Sequence, residues 1–467
     1  MYRNQYYITT KEVKTLRGFR KEIFNGLYVY CDNNLVTYYS NECKVCIIGI
    51  AFDPIKNLNK KTLANYLGDT DNFETLINKI NGISGRYVIL IQFNDDLYIF
   101  PDAFASKRIL VYSKKNETYI SSSEKILIEI SNKELEISKN VKQIINSKLY
   151  KYLESPWIGP NWYDNDIFQV LPNYYYTFKE NTVKKRGISK YELSNEDKIN
   201  YMNEILKGTY RFLSNEFKLI QPLTAGYDSR LLLSASLEYK NQIKYYLFNL
   251  PNTKMDRIIA KTISRDFNLD FSDYDIKSLK PDFTEKYFQS HIFPRILPKI
   301  GIIQYHYHNN RQIKGLININ GNGGEVLKSY YGASFPKDEN DFINSIKIIK
   351  NQLLIENARK WYKNNFSYCE KYNINIKDLF YWEQRQGIWG SQFPFEQDIS
   401  LEEISPMNNR DFIMIGLSLK NVDIYSDGSS LFRVITKLNY DKLLSYPFNP
   451  KTTIQKIKSR LKSVLLK

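Results

Sequence analysis

The sequence predicts two domains, a strand-rich α+β sandwich followed by an α/β domain built on a parallel sheet. A chain of 467 residues is too long for one ordinary core. Short β-branched and aromatic runs dominate the first part, whereas strands alternate with helices in the second. Apolar residues make up 43% and charged residues 25%, a balance typical of a folded globular protein. We place the domains at residues 1–180 and 198–467.

Local patterns predict the elements of the first domain. Alternating or buried apolar runs indicate strands, and apolar residues at helical spacing indicate helices. We expect strands at 45–51, 86–93 and 97–100, and helices near 61–66 and 73–80. Turn residues such as Asn94-Asp95-Asp96 separate them. Residues 154–163 are irregular and rich in Pro and Gly, and a polar stretch after residue 173 predicts a linker that ends near residue 197.

The second domain shows a regular alternation of element types. We expect helices at 199–217, from the turn near 227 to about 237, and at 256–267. Strands are expected at 219–223 and 243–249, with a short extended piece at 271–274. Strands that alternate with helices favour a parallel sheet with crossover helices. From about residue 339 the sequence indicates mostly helix.

The segment QPLTAGYDSRLLLSAS, residues 221–236, turns from a strand directly into an apolar helix. Its turn consists of Thr224, Ala225, Gly226, Tyr227, Asp228 and Ser229. In an open parallel sheet, ligands bind beyond the carboxyl ends of the strands. A helix N-terminus at that edge offers unpaired N–H groups and a positive dipole end, which suit an anion.

The side chains of this turn suit a pyrophosphate group. Ala225 and Gly226 allow phosphate to approach the backbone, and Thr224 and Ser229 supply hydroxyl donors. Asp228 would repel phosphate unless Mg²⁺ lies between them, since Mg²⁺ is typically held by one or two carboxylates and phosphate oxygens. The simpler alternative is an ordinary turn capped by Asp228 or Ser229.

The turn resembles the Ser-Gly-Gly-x-Asp-Ser pyrophosphate loop of the ATP pyrophosphatase superfamily, with Thr224 and Ala225 in place of the first Ser and Gly. A second stretch, INGNGGE at residues 319–325, is similar to the Gly-x-Gly-Ala-Asp-Glu loop of the asparagine synthetase family. The resemblance implies that Gly323 and Gly324 contact ATP. It also implies that Asp228 and Glu325 hold Mg²⁺.

Further motifs follow the order of that family along nearly the whole chain. They are Gly85-Arg86-Tyr87-Val88, the stretch 102–112, Ser121-Ser-Ser-Glu124, Asp256 with Ala260, Tyr381-Trp-Glu-Gln-Arg385 with Trp389, and the stretch 404–411. The resemblance implies a class II glutamine amidotransferase-like, Ntn-type sandwich for residues 1–180. It implies a PP-loop synthetase domain, of the adenine nucleotide α-hydrolase-like kind, for residues 198–467.

One departure from the family concerns glutamine. The family's glutaminase nucleophile is a Cys exposed after removal of Met1, but here Tyr2 follows Met1 and the first cysteine is Cys31. A tyrosine cannot replace that thiolate. The resemblance then implies a ligase that does not hydrolyse glutamine, as in β-lactam synthetase and the lasso-peptide cyclases. Its substrates would be a small-molecule, peptide or sugar carboxylate and an amine or free ammonia, in natural-product or surface-glycan biosynthesis.

The implied chemistry is adenylation of the carboxylate by ATP, with release of pyrophosphate, and then displacement of AMP by the amine. By resemblance, Lys451 is the nearest candidate for the family's catalytic lysine, near the leaving pyrophosphate. Glu383 is the candidate for a carboxylate that deprotonates the amine. The alternatives are a surface lysine and a structural ion pair.

Charge and composition leave two other readings open. The net charge of +16 suits nucleic acid, anionic lipid or a phosphorylated substrate, and it is spread along the chain. One alternative is therefore a PP-loop enzyme that adenylates a nucleic-acid base, although no nucleic acid is expected as a partner of an amide ligase. The other is an inactive, asparagine synthetase-like scaffold, which the altered Thr224, Ala225 and Glu325 positions would suit.

Targeting signals and cysteines add the last expectations. The N-terminal stretch lacks a signal-peptide core, and no run is long enough to span a membrane, so we expect a cytoplasmic protein, with a homodimer as one assembly. Cys43-x-x-Cys46 lacks a second pair, and we interpret it as structural rather than as half of a zinc site. The basic amphipathic tail, residues 451–467, is expected to dock on its own domain.

Overall fold

The computed structural model describes residues 2–152, 157–187, 191–291, 300–311, 313, 315–346, 348–420 and 429–450. The predicted tail helix at 451–467 lies outside these residues. No helix in the described part of the chain is long and apolar enough to cross a membrane.

Strands predominate in the first half of the described chain, and helices predominate in the second half. The strands are β1 (Tyr6–Thr9), β2 (Phe19–Phe24), β3 (Leu27–Asp32), β4 (Thr37–Tyr39), β5 (Val45–Asp53), β6 (Leu58–Asn59), β7 (Ser84–Phe93), β8 (Asp96–Pro101), β9 (Leu110–Lys114), β10 (Glu117–Ser121), β11 (Ile167–Gln169), β12 (Tyr174–Thr177), β13 (Thr182–Lys185), β14 (Lys218–Pro222), β15 (Ile243–Phe248), β16 (Phe271–Tyr274), β17 (Leu316–Ile319) and β18 (Glu402–Ile404). The helices are α1 (Lys60–Gly68), α2 (Phe73–Asn81), α3 (Glu124–Ser131), α4 (Lys139–Asn146), α5 (Lys148–Tyr152), α6 (Asn195–Glu216), α7 (Tyr227–Ser236), α8 (Lys254–Phe267), α9 (Pro281–Ser290), α10 (Ile300–Asn309), α11 (Glu339–Ser345), α12 (Gln352–Tyr372), α13 (Ile376–Phe380), α14 (Ser391–Gln397), α15 (Arg410–Leu419) and α16 (Ser430–Tyr440). A 3-10 turn covers Gly324–Leu327, and a π-helix covers Tyr381–Gly390.

The first domain is a sandwich of two antiparallel sheets. One sheet has the order β11-β9-β10-β1-β3-β2, and the other has the order β13-β12-β8-β7-β5-β4 with β6 beside β5. Apolar residues that alternate along the strands meet between the sheets, for example Ile8 and Val29 from one sheet and Val88 and Leu90 from the other. Helices α1 and α2 cover the outer face of the second sheet, and α3 and α4 pack on the first. The predicted α+β sandwich is confirmed at this level.

The second domain contains the predicted parallel sheet. Its order is β16-β15-β14-β17-β18, and every neighbouring pair in the described chain is parallel. Strand order therefore reverses between β14 and β17, since the chain leaves β14 towards β15 and later returns to its other side. At such a switch point the loops after the two strands diverge and leave a crevice. This crevice is the position of the predicted pyrophosphate turn.

Apolar side chains cover both faces of the parallel sheet. On one face, α6, α7, α8, α15 and α16 join the large core. On the other face, α10 contributes Ile302 and Tyr305 to a smaller cluster with Ile220 and Tyr246. Helix α6 begins where the Ser194 side chain accepts a hydrogen bond from the Asp197 N–H group, an ordinary N-cap.

Three strands, β12, β13 and β18, contradict the sequence prediction. The polar stretch predicted as a linker forms the hairpin β12–β13, which extends the second sheet through pairing with β8. Lys and Thr in β13 hid this strand, because it is an edge strand with half-exposed side chains. Strand β18 was also missed, because it is only three residues long and lies within a mostly helical region.

A turn of the first domain, residues 102–107, is hydrogen-bonded to the second domain. The Asp102 carboxylate accepts hydrogen bonds from the N–H groups of Phe104, Ser106 and Lys107, at 3.1, 2.9 and 2.9 Å. The Asn408 amide reaches this turn, donating to Asp102 Oδ1 at 3.0 Å and accepting from the Phe104 N–H group at 2.9 Å. All of these groups are buried. The turn therefore has a structural function at the contact between the domains.

The cysteines of the described chain are free thiols. Cys46 is buried in β5 and packs between the two sheets, whereas Cys43 is exposed. Burial raises the pKa of Cys31 to about 12, so this thiol is not a reactive thiolate near neutral pH.

His306 of α10 is a buried core residue rather than an acid–base group. Its ring packs edge-on against Tyr246 and Phe248. Nδ1 pairs with the Asn310 amide at 3.0 Å, and Nε2 has no hydrogen-bond partner in the described structure. Burial lowers the pKa of His306 to about 3, whereas an unfolded histidine titrates near pH 6.5.

This difference in pKa makes stability depend on pH. Below about pH 6.5 His306 binds a proton in the unfolded chain but stays neutral in the folded chain. Stability is therefore lost as the pH falls towards 3. We expect His306 to reduce the free energy of unfolding by about 2 kcal/mol between pH 6.5 and about 5. Urea unfolding should show that the free energy of unfolding changes less between these two pH values in His306→Gln than in wild type. The exposed His308, replaced in the same way, should behave like wild type. An equal change in the free energy of unfolding between the two pH values in all three proteins would contradict the prediction.

Candidate active site at the switch point

The turn between β14 and α7 is held by its own hydrogen bonds. Ser229 Oγ accepts from the Thr224 N–H group at 2.8 Å, and Thr224 Oγ1 accepts from the Gly226 N–H group at 3.2 Å. Asp256, in the first turn of α8, accepts from the Ala225 N–H group at 2.9 Å. The turn is therefore pre-formed by contacts within the protein.

These contacts leave other donors for a ligand. Both hydroxyls act as acceptors from the backbone, so the O–H group of each remains to donate. Tyr227, Asp228 and Ser229 form the first turn of α7, where a helix leaves N–H groups without intrahelical acceptors. The positive end of the helix dipole adds to this donor set. The turn thus offers more free donors than an ordinary capped turn needs, and these donors suit a phosphate group.

The second predicted loop follows β17, across the switch point. Glu403 of β18 is buried and accepts from the Asn318 amide at 2.6 Å and from the Asn320 amide at 3.1 Å. Asn320 in turn accepts from the Asn322 N–H group at 3.0 Å, and Ser405 donates to the Asn322 carbonyl at 2.7 Å. Glu403 therefore fixes the loop that carries the predicted glycines and Glu325.

The two loops meet at Asp228. Lys328, which directly follows the 3-10 turn, lies between the loops with its ammonium 2.7 Å from Asp228 Oδ2 and 2.5 Å from Glu325 Oε1. The Lys328 side chain is 14% exposed, and that of Asp228 is 28% exposed. The structure thus places the two predicted acidic residues, Asp228 and Glu325, on either side of Lys328, a residue that the sequence analysis did not identify.

The charges of this cluster depend on one another. Burial raises the pKa of Asp228, and Glu325 adds to that effect, while the Lys328 ammonium opposes it. Burial works to lower the pKa of Lys328, but the two carboxylates outweigh it and hold the pKa above its ordinary value. Lys328 is therefore protonated at neutral pH and compensates the charge of the Asp228 carboxylate, whose Oδ1 atom is buried.

The predicted Mg²⁺ position does not fit this arrangement. Mg²⁺ would lie about 2.0–2.1 Å from its oxygen ligands, and the point shared by Asp228 and Glu325 is the position of the Lys328 ammonium. The second loop also lies directly against Asp228, because its glycines have no side chains. A Cβ atom at Gly324 would overlap Asp228 Oδ1, and one at Gly321 would lie 3.0 Å from the Asp228 Cβ. In the described chain, no group of three or more His, Cys, Asp or Glu side chains is arranged for a metal.

The end of the described chain packs on the first loop. Phe448 stacks on Tyr227, with ring centroids 4.3 Å apart. Arg230 donates to the carbonyls of residues 443, 446 and 447 and lies over the Phe448 ring. The Asn449 N–H group donates to the Ala225 carbonyl at 3.1 Å. Lys451, the predicted catalytic lysine, lies outside the described residues, two positions beyond this contact.

Glu383 occupies a different environment. It lies in the π-helix and is fully buried. Its carboxylate accepts from the Trp361 indole at 2.9 Å and the Asn173 amide at 3.3 Å, and it pairs with Lys185 Nζ at 2.9 Å. These partners make it part of a buried ion pair between the domains, and its predicted role in deprotonating an amine stays a prediction.

A separate cavity of about 1240 Å³ lies at the other end of the parallel strands. It is lined by the amino ends of β14 and β17, including Phe217 and Leu316, and by first-domain residues such as Arg3 and Lys60. Parallel strands carry their ligand loops at the carboxyl ends. This cavity is therefore not part of the Asp228 site.

Comparison with known proteins gives weak structural likenesses. No protein-family model matches the chain, and no curated protein matches it. A glutamine-dependent NAD+ synthetase from Acinetobacter baumannii, in complex with ADP, shares 13% identity over 36% of this chain and 32% of that chain, with a TM-score of 0.23. The chain thus matches about a third of that enzyme.

Two further solved structures show comparable values. An NH3-dependent NAD synthetase from Campylobacter jejuni shares 16% identity over 38% of this chain and 78% of that chain, with a TM-score of 0.21. A glutamine phosphoribosylpyrophosphate amidotransferase from B. subtilis, complexed with ADP and GMP, shares 8% identity over 76% of this chain and 73% of that chain, with a TM-score of 0.23. These TM-scores are low, and the likenesses identify no function for this chain.

Proposed function

We propose that this protein is an ATP-dependent, AMP-forming ligase that adenylates a substrate carboxylate and joins it to an amine or ammonia. The observation that carries the proposal is the position of the two loops. Thr224–Ser229 and the residues after β17 flank the switch point of a parallel sheet, where phosphate-bearing ligands bind in such folds. The resemblance to the asparagine synthetase family specifies the reaction.

The residues of the first loop would position the nucleotide phosphates. The N–H groups at the start of α7 and the hydroxyls of Thr224 and Ser229 would hold the leaving pyrophosphate, and the Lys328 ammonium would lie beside it. In the first step, a carboxylate oxygen forms a bond to the α-phosphorus while the bond to pyrophosphate breaks. In the second step, the amine attacks the acyl carbon and AMP leaves. The contribution of the protein is positioning and charge neutralisation.

The source of nitrogen follows from the first domain. Cys31, the first cysteine of the sequence, is a buried thiol whose pKa burial raises to about 12, so it is not a reactive thiolate near neutral pH. We therefore propose that an amine substrate or free ammonia supplies the nitrogen and that glutamine does not. Lys451 and Glu383 keep their proposed catalytic functions, which Lys451→Met and Glu383→Gln would test through the rate of AMP formation.

Nucleotide binding at the turn is tested by thermal unfolding with Mg-ATP. A ligand at about 100 times its Kd stabilises the folded state by roughly 2.7 kcal/mol. We expect wild type to show this stabilisation and Asp228→Ala to lose it, because Asp228 holds the Lys328 ammonium at the start of α7, beside the proposed phosphate position. Asp282→Ala is the matched control, because Asp282 occupies the same second helical position in α9. An unchanged response in Asp228→Ala, or no response in wild type, would contradict the proposed site.

The reaction class is tested by the products formed from ATP. Incubation with a panel of carboxylic acids and ammonium should release AMP and pyrophosphate in equal amounts. Asp228→Ala should lower this release on the order of 100-fold, as removal of a group that positions the reacting phosphates does. Release of ADP and phosphate would identify a different kind of ATP-using enzyme.

A further inference from the structure

Lys328 has a placement that the pyrophosphate turn alone does not explain. Its ammonium bridges the carboxylates of the two loops, at 2.7 Å from Asp228 and 2.5 Å from Glu325. The lysine follows Glu325 by three residues, so one short segment, the 3-10 turn and the residue directly after it, carries both the acid and its counter-charge. This arrangement puts a positive charge at the place where a bridging metal ion would otherwise be needed.

The packing around Asp228 favours a lysine over a hydrated ion. Gly321 and Gly324 bring the backbone of the second loop against the Asp228 side chain. Asp228 Oδ1 is buried and has no hydrogen-bond partner in the described structure. Mg²⁺ requires a near-ideal octahedron and usually keeps several water ligands. An ammonium requires less space and is already supplied by the chain.

We propose that Lys328 is the resident cation of this site: it neutralises Asp228 and Glu325 and binds the phosphate of the nucleotide directly, in place of a bridging divalent ion. An ammonium has three donors, so two can remain on the carboxylates while the third reaches a phosphate oxygen at the start of α7. The binding of phosphate by Lys328 rests on the proposed function, whereas its replacement of a metal ion does not.

The first experiment measures binding of ATP in EDTA and in Mg²⁺ by isothermal titration calorimetry. We expect wild type to retain ATP binding in EDTA within about ten-fold of its affinity in Mg²⁺. Lys328→Met should lose about ten-fold or more in EDTA, the usual loss when a charged hydrogen-bond donor is removed. Lys328→Arg keeps the charge and should retain most of the affinity. Lys261→Met removes an exposed lysine that pairs with Asp273 at 2.5 Å and serves as the control.

The second experiment requires no nucleotide. Binding of Mn²⁺ is measured from the loss of its free electron paramagnetic resonance signal. Wild type should bind Mn²⁺ at least about ten-fold more weakly than Lys328→Met, in which both carboxylates become available. Adding Glu325→Gln to Lys328→Met should abolish the new site. Unchanged melting temperatures without ligand would show that the variants fold.

Two results would overturn the proposal. One is tight Mn²⁺ binding by wild type that Glu325→Gln removes, since Lys328 would then give way to a metal ion. The other is ATP binding by wild type that disappears in EDTA and is indifferent to Lys328→Met. If wild type fails to bind ATP in either buffer, the proposed ligase function fails, and the Mn²⁺ measurements still decide whether Lys328 replaces a metal.

Discussion

Arg86→Met is expected to lower the free energy of unfolding by about 3–5 kcal/mol, the usual cost of removing one partner of a buried ion pair. Arg86 is fully buried, and its guanidinium makes two parallel bonds to Asp398, at 2.5 and 2.7 Å. Its Nε also donates to the Ser106 carbonyl at 3.2 Å. The pair joins β7 of the first domain to the residue after α14 of the second. Without Arg86, the buried Asp398 carboxylate would keep only neutral donors.

Urea unfolding of wild type and variant measures this loss. Lys11→Met is the matched control, because Lys11 forms an exposed pair with Glu117 at 2.6 Å in the same domain, and such pairs contribute about 0–1 kcal/mol. Arg86→Met combined with Asp398→Leu should recover part of the stability, since no unpaired charge remains. A loss of less than about 1 kcal/mol in Arg86→Met would contradict a structural function for the pair.

Much of the fold could be predicted from local patterns. The alternation of apolar strands and amphipathic helices after residue 198 is a strong signal, and β14, α7, β15, α8 and β16 lie within a few residues of their predicted positions. Strand β18 could not be predicted, because its assignment depends on pairing with β17, which is far away in sequence. The edge strand β13 was hidden for a different reason, because its half-exposed side chains include Thr and Lys.

The site shows the same division between local and non-local information. The turn at 224–229 was readable because a strand, small residues and a helix start occur within one short stretch. Lys328 had no such signal, since a single lysine after an apolar dipeptide is usually solvated. Its function appears only when the loop after β17 folds against Asp228. Glu403 was missed for the same reason, since its partners lie in the loop after another strand.

Gly323→Ala is expected to destabilise the protein by several kcal/mol and to displace the second loop. Gly323 has a φ of +94°, in the left-handed region, where a residue with a Cβ atom costs about 1–2 kcal/mol. A Cβ atom would also overlap the buried ring of Phe104, which belongs to the turn at residues 102–107 that contacts the second domain. Overpacking of this kind adds about 1–3 kcal/mol. The site loop is thus shaped by the first domain.

A double-mutant cycle separates the two causes. Phe104→Ala removes the ring and leaves the backbone strain, so the combination with Gly323→Ala should be less destabilised than the sum of the two single variants by about 1–3 kcal/mol. Urea unfolding of the four proteins gives the coupling, and the stabilisation by ATP reports the position of the loop. Strictly additive losses would mean that Phe104 does not constrain Gly323. Positive coupling would instead mean that the turn of the first domain that carries Phe104 supports the shape of the loop that carries Glu325 and Lys328.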